Sequence, residues 1–137
     1  MPTEILSGLW IGDINDSFDK SFIEDNLIKI LINCTEDYGF INTIETKKIR
    51  IPLSSNLTPE KDLLLLQNNK DRIIDFILKN ISKYNILIYC YDGLKISPLI
   101  IALFIINYGG VSKDDIRDIL RSKNNKVCLD IDLSYFN

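Results

Sequence analysis

The chain has 137 residues and 46% hydrophobic content, which suits one domain around a single core and excludes a disordered chain. Its 16 Lys and Arg against 19 Asp and Glu leave a net charge of −3, which argues against a nucleic-acid partner gripped by a basic patch. Histidine is absent, so histidine triads, histidine general acids and histidine metal sites are excluded, and no metal or other cofactor is expected.

In chain order, Ile5 to Ile11 reads as one strand or two short ones broken near Ser7-Gly8. Asp16 or Ser17 is expected to cap a helix running to about Asn26, with Phe18, Phe22, Ile23 and Leu27 on one face. Ile28 to Ile32 is a near-continuous apolar run, as in a buried parallel strand. A polar loop from Asn33 to Thr46 follows, with Gly39 as its turn residue, and Lys48 to Leu53 is strand again. Thr58-Pro59-Glu60 combines a hydroxyl N-cap with proline at the first helical position. That helix extends toward Lys83, with an interruption expected near Asn68-Asn69, and buries Ile73, Ile74, Ile77 and Leu78. Glu60 and Asp62 are expected to complement its dipole. Ile86 to Tyr89 reads as the central strand, a helix runs from Ser97 to Asn107, and Ser112 caps another over Lys113 to Arg121.

The pattern predicts an α/β fold: one domain over residues 1–137, with a mostly parallel sheet of about 4–5 strands flanked by helices. No apolar run reaches membrane-spanning length; the longest, Pro98 to Tyr108, stops at Gly109-Gly110. Cys34, Cys90 and Cys128 show no Cys-x-x-Cys spacing and, without a signal peptide, read as reduced thiols of an intracellular protein. Cys34 and Cys128 are expected in the core. The abundance of Ile, Asn and Lys suits an AT-rich genome, such as that of a parasite or a large DNA virus; the expected compartment is cytoplasm or nucleus, of the host cell if the chain is viral. Lys47 and Lys48 are too few for a basic patch, and Lys79 and Lys83 are expected on the wet face of a helix.

The stretch from Ile86 to Ser97 is the most telling. An apolar strand ends at Cys90, a short loop holds Gly93, and an apolar helix begins near Ser97. Strand, loop and helix turn backbone N–H groups and a helix N-terminus toward one point, where an oxyanion can sit above a thiol. This stretch resembles the signature loop of cysteine-dependent protein phosphatases, His-Cys-x-x-Gly-x-x-Arg-Ser/Thr. Tyr89 stands in the histidine's place, Cys90 matches the nucleophile, Gly93 the glycine and Ser97 the hydroxyl residue, while Ile96 replaces the arginine. Leu9-Trp-Ile-Gly12, Ile28 to Cys34, Lys48 to Leu53, Arg117 to Arg121 and the tail from Asp130 to Phe136 resemble, in order, further segments of dual-specificity phosphatases.

The resemblance implies a phosphotyrosine-phosphatase-like fold and a two-step displacement through a phosphocysteine. Tyr91, Asp92, Gly93, Leu94 and Lys95 would form the phosphate-binding loop, and Ser97 would hydrogen-bond the thiolate. The glycine is expected to let backbone amides approach an anion. The family's general acid falls at Ser55, and serine is far too weak an acid to serve. Losing such an acid costs about 10²–10⁴ in rate, and losing a major electrostatic stabiliser about 10²–10³. The chain is therefore expected to be a pseudophosphatase that binds a phosphoprotein or another protein partner. Two alternatives stay open. One is a weak phosphatase using Cys90, with Lys95 supplying a point charge; the other is a homodimeric scaffold with an unused pocket.

Overall fold

A computed structural model describes residues 2–42 and 45–136. Two short strands, β1 (Thr3–Leu6) and β2 (Leu9–Gly12), pair antiparallel across the Ser7-Gly8 turn. Two short helices follow, α1 (Ile14–Ser17) and α2 (Lys20–Asp25), then β3 (Ile28–Asn33) and β4 (Lys47–Arg50). A π-helical turn over Pro59–Leu63 runs into α3 (Leu64–Asn80), and β5 (Asn85–Tyr89), α4 (Ile96–Gly109), α5 (Lys113–Lys123) and a 3₁₀ turn at Leu133–Phe136 complete the chain. The sheet order is β1-β2-β5-β3-β4, with every pair parallel except β1–β2. The expected α/β architecture is present, with the Cys90 strand at its centre.

Strand alternation divides the core. Ile86, Ile88 and Cys90 face one side of the sheet with Ile30, Ile32, Cys34, Leu9 and Ile11, where α3, α4 and α5 pack. Leu87 and Tyr89 face the other side, against α1, α2, Trp10, Phe22 and Phe40. α4 is buried continuously from Ile96 to Ile105, so its apolar character all round is that of a central core helix. Gly110, in the left-handed region at φ 66°, ends it.

Several local expectations change. The single helix expected from Asp16 or Ser17 is two helices. Asp13 caps the first in a reciprocal capping box with Asp16, and Asp19 caps the second. Phe18 and Leu27 are exposed because they lie at the break and beyond the end. Gly39 has no left-handed backbone; the chain bends instead at Glu36-Asp37. α3 runs unbroken past Asn68-Asn69 and ends at Asn80, before Lys83; the irregular winding sits earlier, where Leu63 N–H reaches Thr58 O at 3.1 Å. Of the residues expected to be buried on it, Ile77 is, Ile73 and Ile74 are half-buried, and Leu78 is exposed.

Candidate functional site

β5 delivers Cys90 to the carboxyl end of the sheet, where open α/β sheets place ligands. The thiol is fully buried. Ser97 Oγ lies 3.3 Å from Cys90 Sγ, and the Ser97 backbone N–H donates to the same sulfur at 3.3 Å. Sulfur, hydroxyl and the first turn of α4 thus form one unit, the arrangement expected of a strand, loop and helix wrapped around a thiol. Asp92 Oδ1 accepts from Leu94 N–H at 2.9 Å and lies 4.0 Å from the sulfur. The exposed carboxylate of Asp92 therefore takes up a loop amide that would otherwise be free for an anion.

Gly93 has φ +72°, and a Cβ there would sit 2.8 Å from the Gly12 carbonyl carbon and 3.1 Å from Asp13 N. Its smallness is thus needed against the end of β2, beyond the expected approach of an anion. Leu94 is half-buried, and its carbonyl accepts from Cys128 N–H at 2.8 Å, bracing the loop from the C-terminal segment. That segment is itself pinned by Arg117, whose guanidinium donates to the Leu129 and Ile131 carbonyls, and by Arg121, which donates to Val127 O at 3.2 Å.

Ile96 is 2% exposed and belongs to the main core. Lys95 is exposed and shares a cleft of about 270 Å³ with Ser55, Asn56, Leu99, Cys128 and Asp130. Ser55 and Lys95 are therefore brought together, while Cys90 is not among the residues lining that cleft. Cys128, expected in the core, is only half-buried because it borders this cleft. Cys34 is fully buried, and burial pushes its thiol well above the usual range, with neighbouring Cys90 adding to the shift.

Tyr89 points away from the thiol, into the opposite core, with its ring edge-on to Phe40 at 6.5 Å. Among the described residues its hydroxyl is buried without a hydrogen-bond partner at bonding distance; the Ser17 hydroxyl lies nearby and donates to Ile14 O. Burial raises the Tyr89 phenol to about 12.

Two residues matter more than their sequence context suggests. Tyr91 Oη donates to Leu53 O at 2.8 Å and accepts from Glu36 N–H at 3.2 Å, so one phenol ties the loop to both neighbouring connections. Burial, with the nearby Asp37 carboxylate, raises it to about 12. Asp62, expected only to complement a helix dipole, is fully buried. It accepts from Ser54 N–H at 3.0 Å, Thr58 N–H at 2.7 Å, Thr58 Oγ1 at 3.1 Å and the Ser54 hydroxyl. Burial alone would raise this carboxyl, but the hydrogen bonds outweigh it and hold Asp62 below the ordinary carboxylate value. The Ser54–Thr58 loop carrying Ser55 is thereby closed on the Asp62 carboxylate, three of whose four hydrogen bonds fall on Oδ2. The recurrence of Ser54, Thr58 and Asp62 at four-residue spacing was the only signal in the sequence. Among the described residues, no group of three or more Cys, Asp or Glu is placed to hold a metal, and no helix is long and apolar enough to cross a membrane.

Residues 9–134 match the family model of the dual specificity phosphatase catalytic domain, and the chain belongs to that family. It is 28% identical over 127 residues to mouse dual specificity protein phosphatase 8, covering 91% of this chain and 18% of that protein. The human protein of the same name gives 27% identity and covers 91% and 20%. The chain thus spans about a fifth of the length of these relatives. The fold is similar to that of DUSP15, with TM-score 0.82, 20% identity and coverage of 98% and 81%. It is likewise similar to the human tyrosine phosphatase-like serine/threonine/tyrosine-interacting protein, at TM-score 0.75, 15% identity and coverage of 98% and 90%.

Proposed function

We propose that this chain is a catalytically silent dual-specificity phosphatase-like module that acts inside the cell by binding a phosphoprotein or another protein. The observation carrying this reading is Ile96. The position where the family's loop offers a guanidinium to phosphate is an aliphatic side chain sunk in the core. The loop's charged side chains, Asp92 and Lys95, cancel, and the acid position holds exposed Ser55. Backbone amides and the start of α4 remain, which supports oxyanion binding without turnover. The name of one structural neighbour, a phosphatase-like interacting protein, describes a role of this kind.

Aryl-phosphate hydrolysis by the wild type beside Cys90→Ser, at high enzyme concentration, is the test. Equal background rates are expected. Turnover that disappears in the mutant would overturn the proposal in favour of a feeble cysteine-dependent phosphatase, the second reading, which the intact 3.3 Å pairing of Cys90 and Ser97 favours. Binding is tested separately by retention of phosphopeptides. Retention that is lost in Lys95→Glu, a change at an exposed residue of the same loop, is expected, and no retention by the wild type would count against the phosphoprotein form of the proposal.

A further inference from the structure

The basic residues that look scattered along the sequence converge on one flank. Between edge strand β4 and α3 runs a groove of about 590 Å³, with Ile49, Leu65, Ile73 and Phe76 among its walls. At Asn80 it meets a second groove of about 660 Å³ at the amino ends of β3 and β4. Together they are lined by Lys29, Lys47, Arg50, Arg72, Lys79 and Lys83, against the carboxylates of Glu45 and Asp75 alone. Lys79 pairs with Asp75 at 2.8 Å, Lys29 with Glu45 at 3.9 Å, and Arg50 is engaged by the Thr35 and Tyr38 carbonyls. Lys47, Arg72 and Lys83 form no ion pair among the described residues, and Lys47 lies 5.3 Å over the Phe76 ring. This local excess of cations stands on a chain of net charge −3.

We infer that this flank is a docking groove for an extended, acidic and apolar segment of another protein. Charge complementarity selects an acidic occupant. The apolar walls favour alternating hydrophobic side chains over a nucleic-acid backbone, which gains little from such a floor. The outer side of β4 carries no further strand among the described residues, so an extended segment can lie alongside it. The stripe from Leu65 to Asn80 is about 22 Å long at 1.5 Å per residue, which an extended segment of about seven residues spans. The groove shares no residue with the Cys90–Ser97 loop, so its fate is separable from that of the proposed pocket.

Panning random phage-displayed peptides on the intact chain tests the inference, with affinities of the enriched sequences then measured by fluorescence anisotropy. Enriched peptides should carry Asp or Glu interleaved with apolar residues. Their affinity should fall at least about tenfold in Arg72→Glu/Lys83→Glu and drop at high salt. Bound peptide should slow amide exchange over residues 47–50 and 65–80. Should the charge-reversed variant fail to fold, Arg72→Gln/Lys83→Gln serves, with the same direction of effect. No enrichment, enriched peptides lacking acidic residues, or binding indifferent to both variants would overturn the inference. So would a single-stranded oligonucleotide that competes with the peptides and binds more tightly.

Discussion

Ser97 presents both its hydroxyl and its backbone N–H to Cys90 Sγ, each at 3.3 Å, across a loop that contains no arginine. The sulfur is therefore held by the turn that starts α4, while the residue between loop and hydroxyl, Ile96, faces the core. On the proposed reading, the geometry around Cys90 is kept while the phosphate chemistry beside it is lost. The first depends on backbone and a serine, the second on side chains that this chain does not have.

Restoring those side chains is the direct check. Ile96→Arg with Ser55→Asp is expected to yield aryl-phosphate hydrolysis at least about tenfold above the parent and abolished by Cys90→Ser. Because Ile96 is buried, the double variant should also be less stable, by about 2–4 kcal/mol. Urea denaturation measures the cost. A folded double variant with no gain in rate would show that the loop's path, and not only its side chains, has diverged.

Gly93 should tolerate no side chain. At φ +72°, with the Gly12 carbonyl carbon 2.8 Å from an added Cβ, Gly93→Ala is expected to cost about 2–3 kcal/mol. Gly39→Ala meets nothing within 4 Å among the described residues and should be near neutral. Comparable denaturation midpoints for the two variants would refute the close approach.

Asp62 gives a stability that depends on pH. Its folded-state value is depressed, so its contribution is fully present above the unfolded carboxylate value of about 3.9 and fades as pH falls through the lower folded value. Asp62→Asn should be less stable by about 1–3 kcal/mol at neutral pH. The gap to the wild type should narrow on acidification below about pH 4. A gap independent of pH would mean that the carboxylate's charge is not what closes the Ser54–Thr58 loop.

The two tyrosines flanking Cys90 should respond oppositely to loss of a hydroxyl. Tyr91→Phe removes the links to Leu53 and Glu36 and is expected to cost about 1 kcal/mol, with faster amide exchange near Leu53. Tyr89→Phe removes a buried hydroxyl that has no hydrogen-bond partner among the described residues and should be neutral or stabilising by up to about 1 kcal/mol. Thermal unfolding of the pair distinguishes them.

What could be read from the sequence was whatever depends on local period and order. The run Ile86 to Tyr89 reads as a buried central strand because nothing polar interrupts it, and the Cys90–Ser97 loop follows from its flanking elements. Asp19 went unread as a cap because the apolar positions on either side of it suit one continuous helix. Asp62 was misjudged because an acid in a first helical turn has an ordinary role, and only the folded chain lays it against Ser54. Tyr91 has partners 38 and 55 residues away, beyond the reach of any local pattern. The basic flank was invisible for the same reason: Lys47 lies on β4 and Lys83 in the turn after α3, and only the fold brings them to one groove.

The strand order carries a consequence for how such a chain is made. β5 lies between β2 and β3, yet it leaves the ribosome after both. Until it arrives, β2 and β3 have no neighbour in common, and the apolar edges of each wait unpaired. Insertion of the Cys90 strand is then the event that joins two half-sheets, and it demands contacts distant in sequence. The loop at its end is thus set at the moment the whole sheet closes, so opening it should draw on the cooperativity of the entire domain rather than on a local hinge.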